Sequence, residues 1–366
     1  MSVREADNTH DPGPEREPFA AGRRPLGMET RRTLLVDAFT DEPLAGNVAG
    51  VVPDATGLSD DRMRRIAAEL GASETAFVTP AAGDGDDPAG GDDPADGDNT
   101  TGDDPADGDN TTGDDPDHRI RYFTTTTEVD LCGHATVAAY ATLFADGTID
   151  AGEYTLRTNV GDLTIRVDDD GGVRMRQEPP DVTVVDPDTL DADRLGDALG
   201  IDPAALRDVG ADLPVAVAST GLPFLVVPVN FLEHLGGASP DPDAIEAISD
   251  EFDVAGVYAF TFDTLEGDST LHGRAFAPAV GIDEDPVTGT ASGAVGGYLR
   301  AVEAFDGDAP DELRFEQGHF VDRPGYVRVW AGDADEPVTI GGDAVVSLDG
   351  DLRLPDEAGD DDILVV

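Results

Sequence analysis

The sequence predicts an α+β fold built from two pseudo-symmetric domains, and three observations support this. The chain has 366 residues, enough for two domains of ordinary size. Short runs of β-branched or aromatic residues alternate with a few helical segments. Two similar segments, Leu131–Ala138 and Val287–Ala294, each lead through a glycine, a polar residue, an alanine and a hydroxyl residue into a helix of small residues. These two units predict a binding site in the cleft between the domains.

Strands are predicted where β-branched or aromatic runs are bounded by turn residues. In chain order they cover residues 33–39, 48–52, 75–78, 120–123, 154–158, 162–167, 173–177, 215–218, 224–229, 255–262, 271–276, 326–330 and 337–347.

Helices are predicted between these strands from periodicity and end signals. The first begins after Ser59, which can cap it, and ends at Gly71. Its buried face comes from apolar residues at helical spacing. That face consists of Met63, Ile66, Ala67 and Leu70. The other predicted helices follow His134, lie near 189–199 and 241–250, and run from Ala291 to about Ala304.

The domain organisation includes segments too polar to form a core. An acidic stretch at 91–101 is repeated unchanged at 102–112 and offers no apolar face to bury. We expect a disordered tail at 1–30, a first domain at 31–150 with a disordered acidic insert at 82–117, a second domain at 151–350, and a C-terminal segment at 351–366 that can return to the first domain.

The charge is strongly negative, with 23 basic and 78 acidic residues and a net charge of −55. Nucleic-acid binding is not expected, because phosphate contacts need clustered basic side chains. An acidic interaction tail would concentrate the charge, but residues 84–117 carry only 14 of the acidic residues. The spread of charge instead predicts a halophilic protein from an acidic proteome, since a carboxylate-rich surface keeps a protein soluble.

Several classes of partner and compartment are disfavoured by the same sequence. The apolar runs are too short to span a membrane, so no membrane partner is expected. Cys132 is the single cysteine, which excludes an intrachain disulfide framework and fits a reducing, cytoplasmic location.

No cofactor and no metal are expected from the sequence. The chain contains no lysine, so it cannot form the internal Schiff base of a pyridoxal-phosphate enzyme. It has no phosphate-binding loop, and its six histidines lack the spacing of metal ligands. Any catalysis by this chain is therefore expected to be cofactor-independent.

Three polar residues are candidates for this chemistry. Glu74 enters an apolar strand, His134 lies where a helix begins, and Asp285 directly precedes the second small-residue helix. The N–H groups at a helix start suit a substrate carboxylate. We therefore expect Glu74, His134 and Asp285 to converge on a carboxylate ligand.

Four blocks of sequence stand out along the chain: Val36–Asn47, Ser73–Val78, Arg121–Thr136 and Glu284–Ala291. In this order they resemble the PhzF-like isomerase family of phenazine biosynthesis, which shares its fold with diaminopimelate epimerase. The resemblance implies two domains, each a curved, mostly antiparallel sheet or barrel wrapped around a central helix, and a homodimer.

The resemblance also implies roles for individual residues. Glu74 corresponds to the family's catalytic glutamate, which acts as general base and then as acid, while His134 and Asp285 line the reacting centre. The implied substrate-binding residues are Asn47, Gly133, Thr288, Gly289 and Thr290.

The expected function is a cofactor-independent isomerase that moves a proton on a small carboxylate substrate. Epimerases of this fold use a cysteine at each helix start, where this chain has Cys132 and Thr288. A threonine hydroxyl is too weak an acid or base to replace a thiolate, so epimerisation by two thiols is not expected. Cys132 is expected either to pack as a small apolar residue or to line the pocket. Two alternatives are a racemase or epimerase using Glu74 and Asp285, and a non-catalytic small-molecule-binding protein of the same fold.

Overall fold

The computed structural model describes residues 29–80, 115–207, 209, 213–305, 310–332 and 336–355. The predicted tail, the acidic repeat and most of the C-terminal segment lie outside these residues. By their contacts, the described residues between 32 and 351 form one compact unit, and residues 29–31 with 352–355 belong to another. In the smaller unit, the backbone N–H of Leu354 donates to the carbonyl of Glu29 over 2.9 Å.

The described residues contain seven α-helices and two 3-10 turns, the latter at Pro278–Val280 and His319–Val321. No helix in this part of the chain has both the length and the apolar content needed to cross a membrane. The helices are α1 (Asp60–Leu70), α2 (Gly133–Ala145), α3 (Ala192–Leu199), α4 (Ala204–Arg207), α5 (Leu232–Gly236), α6 (Pro242–Phe252) and α7 (Gly289–Ala301).

Eighteen strands accompany these helices within the same described residues. The first nine are β1 (Thr30–Ala38), β2 (Asn47–Val52), β3 (Thr75–Pro80), β4 (His118–Phe123), β5 (Glu128–Val129), β6 (Gly152–Thr158), β7 (Gly161–Val167), β8 (Val173–Arg176) and β9 (Asp181–Val184). The others are β10 (Ala216–Ser219), β11 (Phe224–Pro228), β12 (Val257–Thr261), β13 (Leu271–Ala277), β14 (Ile282–Asp285), β15 (Leu313–Gln317), β16 (Gly325–Trp330), β17 (Thr339–Gly342) and β18 (Ala344–Arg353).

The strand pairing repeats. From β1 through β2, β3, β4, β6, β7 to β8, successive pairs are antiparallel, parallel, antiparallel, parallel, antiparallel and antiparallel. The series β10, β11, β12, β13, β15, β16, β17 follows the same sequence of directions. Strands β8 and β17 join the two series. We call the two series the first and second halves, and they confirm the predicted pseudo-symmetric α+β fold.

The strand that follows each half along the chain pairs with a strand of the other half. Strand β9 follows β8 along the chain but pairs with β10, and β18 follows β17 but pairs with β1. The first series therefore ends at β8, at Arg176, beyond residue 150. The domain boundary near residue 150 stays a prediction.

A central helix lies against each series of strands. Helix α2 contacts β2, β3, β7 and β8, whereas α7 contacts β9, β10, β11, β16 and β17. A helix that is apolar all round belongs in an interior, and Ala135 to Leu143 are all buried. In α7, a Cβ atom at Gly297 would lie 2.3 Å from Cβ of Pro180. Glycine therefore allows the close packing of α7.

The predicted elements agree with the structure where periodicity is strong. Helix α1 buries Met63, Ile66 and Ala67 and ends at Gly71, whose φ is +68°. Ser59 occupies the N-cap position, but its side chain makes no capping hydrogen bond. The strand predicted at 337–347 is two strands, β17 and β18, and the prediction omitted β5, β9, β14, β15, α4 and α5. Most of the omitted elements are too short to show a period.

An ion pair precedes each central helix at the equivalent place. Arg121 donates two hydrogen bonds to Glu128, of 2.8 and 2.6 Å, between β4 and β5. Arg274 donates two to Glu284, of 2.8 and 2.7 Å, between β13 and β14. The second pair is more buried, and Arg274 Nη1 also donates to the carbonyl of Leu235 over 2.9 Å. These pairs fix the strands from which α2 and α7 start.

Replacing Arg274 by Met should lower the free energy of unfolding by about 3 kcal/mol, because Glu284 would stay buried without its counter-ion. The matched control is Arg157→Met, which breaks a two-bond pair with Asp162 whose side chains are 49% and 44% exposed. That control should cost no more than about 1 kcal/mol. Urea unfolding at one fixed salt concentration measures both variants, and equal losses would contradict the prediction.

Candidate active site

Glu74, Cys132 and His134 form a cluster at the start of α2. Glu74 directly precedes β3, and its Oε2 atom lies 3.4 Å from Nε2 of His134. Sγ of Cys132 lies 3.4 Å from Nδ1 of the same ring, and Oγ of Ser73 lies 3.4 Å from Nε2. The side chains of His134 and Glu74 are 12% and 16% exposed, so a ligand could still reach them.

Asp285 ends β14, and its carboxylate is held by two donors. Nδ2 of Asn47 donates to Oδ1 over 2.8 Å, and Oγ1 of Thr288 donates to Oδ2 over 2.5 Å. Nε2 of Gln317 donates to the backbone carbonyl of Asp285 over 2.7 Å. The orientation of this carboxylate is thereby fixed before any substrate binds.

The carboxylates of Glu74 and Asp285 interact electrostatically. Burial raises the pKa of Asp285 above its ordinary value, and the negative charge of Glu74 adds to this rise. The charge of His134 and the hydrogen bonds from Thr288 and Asn47 act in the opposite direction. The structure thus brings together Glu74, His134 and Asp285, which the sequence placed in separate motifs.

Cys132 lies beside the ring of His134, with 9% of its surface exposed. Burial raises the pKa of its thiol well above the ordinary value, and the charges of Glu74 and Asp285 raise it further. Potential metal-ligand atoms of Glu74, Cys132 and His134 lie within 4.8 Å of one another. The expectation that no metal binds here stays a prediction.

The two small-residue helices begin close to each other. A Cβ atom at Gly133 would meet Cε of Met175 at 3.4 Å and Oγ1 of Thr290 at 3.8 Å, which are ordinary contacts. Both Gly133 and Thr290 line a cavity of about 650 Å³. The first-turn N–H groups of a helix have no partner within it, so both starts can bind an anion.

Three of the five predicted substrate-binding residues contact other residues of the protein, and these contacts give each of them a structural role. Asn47 is 3% exposed and binds Asp285, and Thr288 also binds Asp285. Gly289 is buried against the ring of Phe39, to which an added Cβ would come within 2.9 Å. In this geometry, Asn47 and Thr288 position a carboxylate. Their assignment to substrate binding remains a proposal.

The sequence did not single out Gln317 or Thr220. Gln317 is 1% exposed, and its Oε1 accepts from the backbone N–H of Thr288 over 3.2 Å. Thr220 lines the cavity and donates to Oε1 of Gln177 over 2.9 Å. Both follow or end short strands, with no motif around them. Only the pairing of β13 with β15 brings Gln317 to the site.

Comparisons with known proteins agree with this arrangement. The family model of the phenazine biosynthesis-like protein matches residues 36–350. Uncharacterized isomerase YfhB of Bacillus subtilis is 32% identical over 334 residues, covering 89% of this chain and 100% of that protein. A phenazine biosynthesis protein of the PhzF family from Bacillus anthracis superposes with a TM-score of 0.72 at 30% identity, covering 89% of this chain and 100% of that one. A predicted epimerase from Pseudomonas aeruginosa gives a TM-score of 0.65 at 27% identity, with coverages of 88% and 99%.

The thiol of Cys132 should react with a disulfide reagent at least about tenfold more slowly in the native protein than in the urea-unfolded chain at pH 8, because each unit of raised pKa lowers the thiolate fraction about tenfold. The single cysteine makes the colorimetric assay unambiguous.

A pair of variants separates charge from access. Glu74→Gln removes a negative charge near the thiol and should accelerate its reaction in the native state, whereas Glu69→Gln, at an exposed position on α1, should not. Equal rates for the two variants would show that the charge of Glu74 does not reach Cys132.

Proposed function

Because this chain belongs to the phenazine biosynthesis-like protein family, we propose that it is a cofactor-independent isomerase that moves a proton on a carboxylate substrate. The observation that carries the proposal is the convergence of Glu74 and Asp285, one from each half, on His134 and the two helix starts. The relative YfhB is itself named an isomerase, which supports an enzymatic activity.

Glu74 is the proposed general base. A C–H bond next to the substrate's carboxyl or double bond breaks, its proton passes to Glu74, and its electron pair is delocalised over the substrate. Asp285 or Glu74 then gives a proton to another carbon, and exchange with solvent restores both carboxyls. A carboxyl whose pKa is raised toward the working pH is protonated to a larger fraction there and can therefore donate a proton. This matches the direction of the pKa shift of Asp285.

The remaining groups are proposed to bind the substrate and to stabilise the charge that develops on it. We assign the substrate's carboxylate to the starts of α2 and α7, where Gly133 and Thr290 line the cavity and the helix dipoles favour an anion. His134, 3.4 Å from Glu74, would donate to the charge that develops on the substrate. Preorganised donors of this kind contribute most when water is excluded.

A racemase or epimerase is the second candidate. Its support is that the two carboxyl groups come from opposite halves, which would suit proton removal and return on two faces of one carbon. The similar protein from Pseudomonas aeruginosa is named a predicted epimerase. Product chirality distinguishes the candidates, because an epimerase inverts the carbon that loses the proton, whereas an isomerase moves the proton to another atom.

The proposal extends to the state of the protein in the cell. We propose a cytoplasmic homodimer from a halophile that takes a small carboxylate substrate. The net charge of −55 supports the halophilic origin, and the family resemblance supports the homodimer.

Glu74→Gln should lower solvent-proton exchange at least about 100-fold, because it removes the general base. The assay incubates the protein with a panel of amino and unsaturated carboxylic acids in deuterated water at high salt and follows loss of C–H signals by NMR. Glu69→Gln is the matched control and should exchange like the parent protein. Full exchange by Glu74→Gln on a turned-over acid would refute the role of Glu74.

Raising potassium chloride from 0.1 to 3 M should raise the melting temperature, because salt screens the repulsion among surface carboxylates. Calorimetry measures the shift, and sorbitol at matched osmolality serves as a non-ionic control. A melting temperature that falls with salt, or that rises equally with sorbitol, would contradict the halophilic interpretation.

A further inference from the structure

The cavity at the helix starts is lined by Gly133 and Thr290, and its wall does not include the proposed proton-transfer groups. Its volume of about 650 Å³ lies within the range of roughly 300–1,000 Å³ that is typical of sites for drug-sized ligands. From Gly133 and Thr290 it continues along β7 and β8 to the turn between β10 and β11. A substrate of only a few atoms beyond its carboxylate would leave most of this space to water.

Part of the wall of this cavity is formed by apolar side chains. Leu163 and Met175 line it, together with three large apolar side chains that are exposed to solvent. These three are Val160 (57% exposed), Leu222 (46%) and Leu131 (37%). Leaving apolar surface in water is unfavourable by about 25 cal/mol per Å², so a ligand that covered these side chains would gain affinity.

The charged groups of the wall are mostly acidic. Asp130, Asp162 and Glu178 line the cavity with one cation, Arg176. Asp162 is paired with Arg157 by bonds of 2.9 and 3.0 Å. Among the described residues, Asp130 and Glu178 have no ion-pair partner, and neither does Arg176. A second carboxylate on the substrate would therefore meet a net negative wall.

We propose that the substrate is a monocarboxylic acid with an extended apolar body, and that this body lies against Leu131, Val160 and Leu222. The inference rests on the proposed function for the placement of the carboxylate at the two helix starts. It adds the class of substrate: aliphatic or aromatic monocarboxylates are accepted, and dicarboxylates of the same length are rejected by Asp130 and Glu178.

Binding of unreactive acids tests this class without relying on turnover. Isothermal titration in 0.2 M potassium chloride, where charges a few ångströms apart still interact, compares acetate, hexanoate and adipate. Adipate carries a carboxylate in place of the terminal methyl group of hexanoate. Hexanoate should bind at least about tenfold more tightly than either acetate or adipate. Acetate leaves the apolar wall uncovered, and adipate places a charged group against that wall, near Asp130 and Glu178. Equal affinities, or tighter binding of adipate, would overturn the inference.

A matched pair of variants locates the binding. Val160→Asp should weaken hexanoate binding at least about tenfold. Val184→Asp is the control, because Val184 is 54% exposed on β9 and does not line the cavity. If both variants bind hexanoate alike, the apolar wall does not hold the substrate. Failure of the proposed function is separate, since it shows as missing Glu74-dependent exchange whatever the titrations give.

Discussion

The amide of Asn47 connects the two halves of the structure at the point where chemistry is proposed. Its Nδ2 atom donates to Asp285 and, over 2.9 Å, to the carbonyl of Val287. A residue at the start of β2 thereby fixes both the last residue of β14 and the approach to α7. Because Asn47 is almost fully buried, loss of either acceptor would leave an unpaired polar group in the interior. The position of the Asp285 carboxyl group therefore depends on a contact with the first half.

The scaffold is pseudo-symmetric, but the chemistry on it is not. At the two helix starts, Cys132 corresponds to Thr288. The thiol of Cys132 lies against the ring of His134, whereas the hydroxyl of Thr288 donates to Asp285. Strands β3 and β12 also correspond, yet Glu74 precedes the first and Gly256 the second. A Cβ atom at Gly256 would lie 2.3 Å from the carbonyl oxygen of Phe276, so that place has no room for a side chain. The proposed base, Glu74, therefore has no counterpart before β12.

Acidity by itself identifies nothing in a chain with 78 acidic residues. Most of the described carboxylates lie in solvent or pair with arginine, where water or a counter-ion stabilises the charge. Asp285 differs because burial raises its pKa while defined donors hold its oxygens. The distinction between a surface carboxylate and a proton donor is thus a matter of environment, which residue composition does not record.

The amino-acid sequence determined the α+β class, helix α1 with its end at Gly71, the two small-residue helices and the exclusion of a lysine-based cofactor, because these follow from local periodicity, turn residues and composition. The tertiary structure decided that β9 and β18 pair outside their own halves, and that Gln317 supports the segment from Asp285 to Thr288. It also decided that Asn47 and Thr288 hold a carboxylate. These contacts join residues far apart in the chain, and strand register, which no local pattern encodes, brings them together.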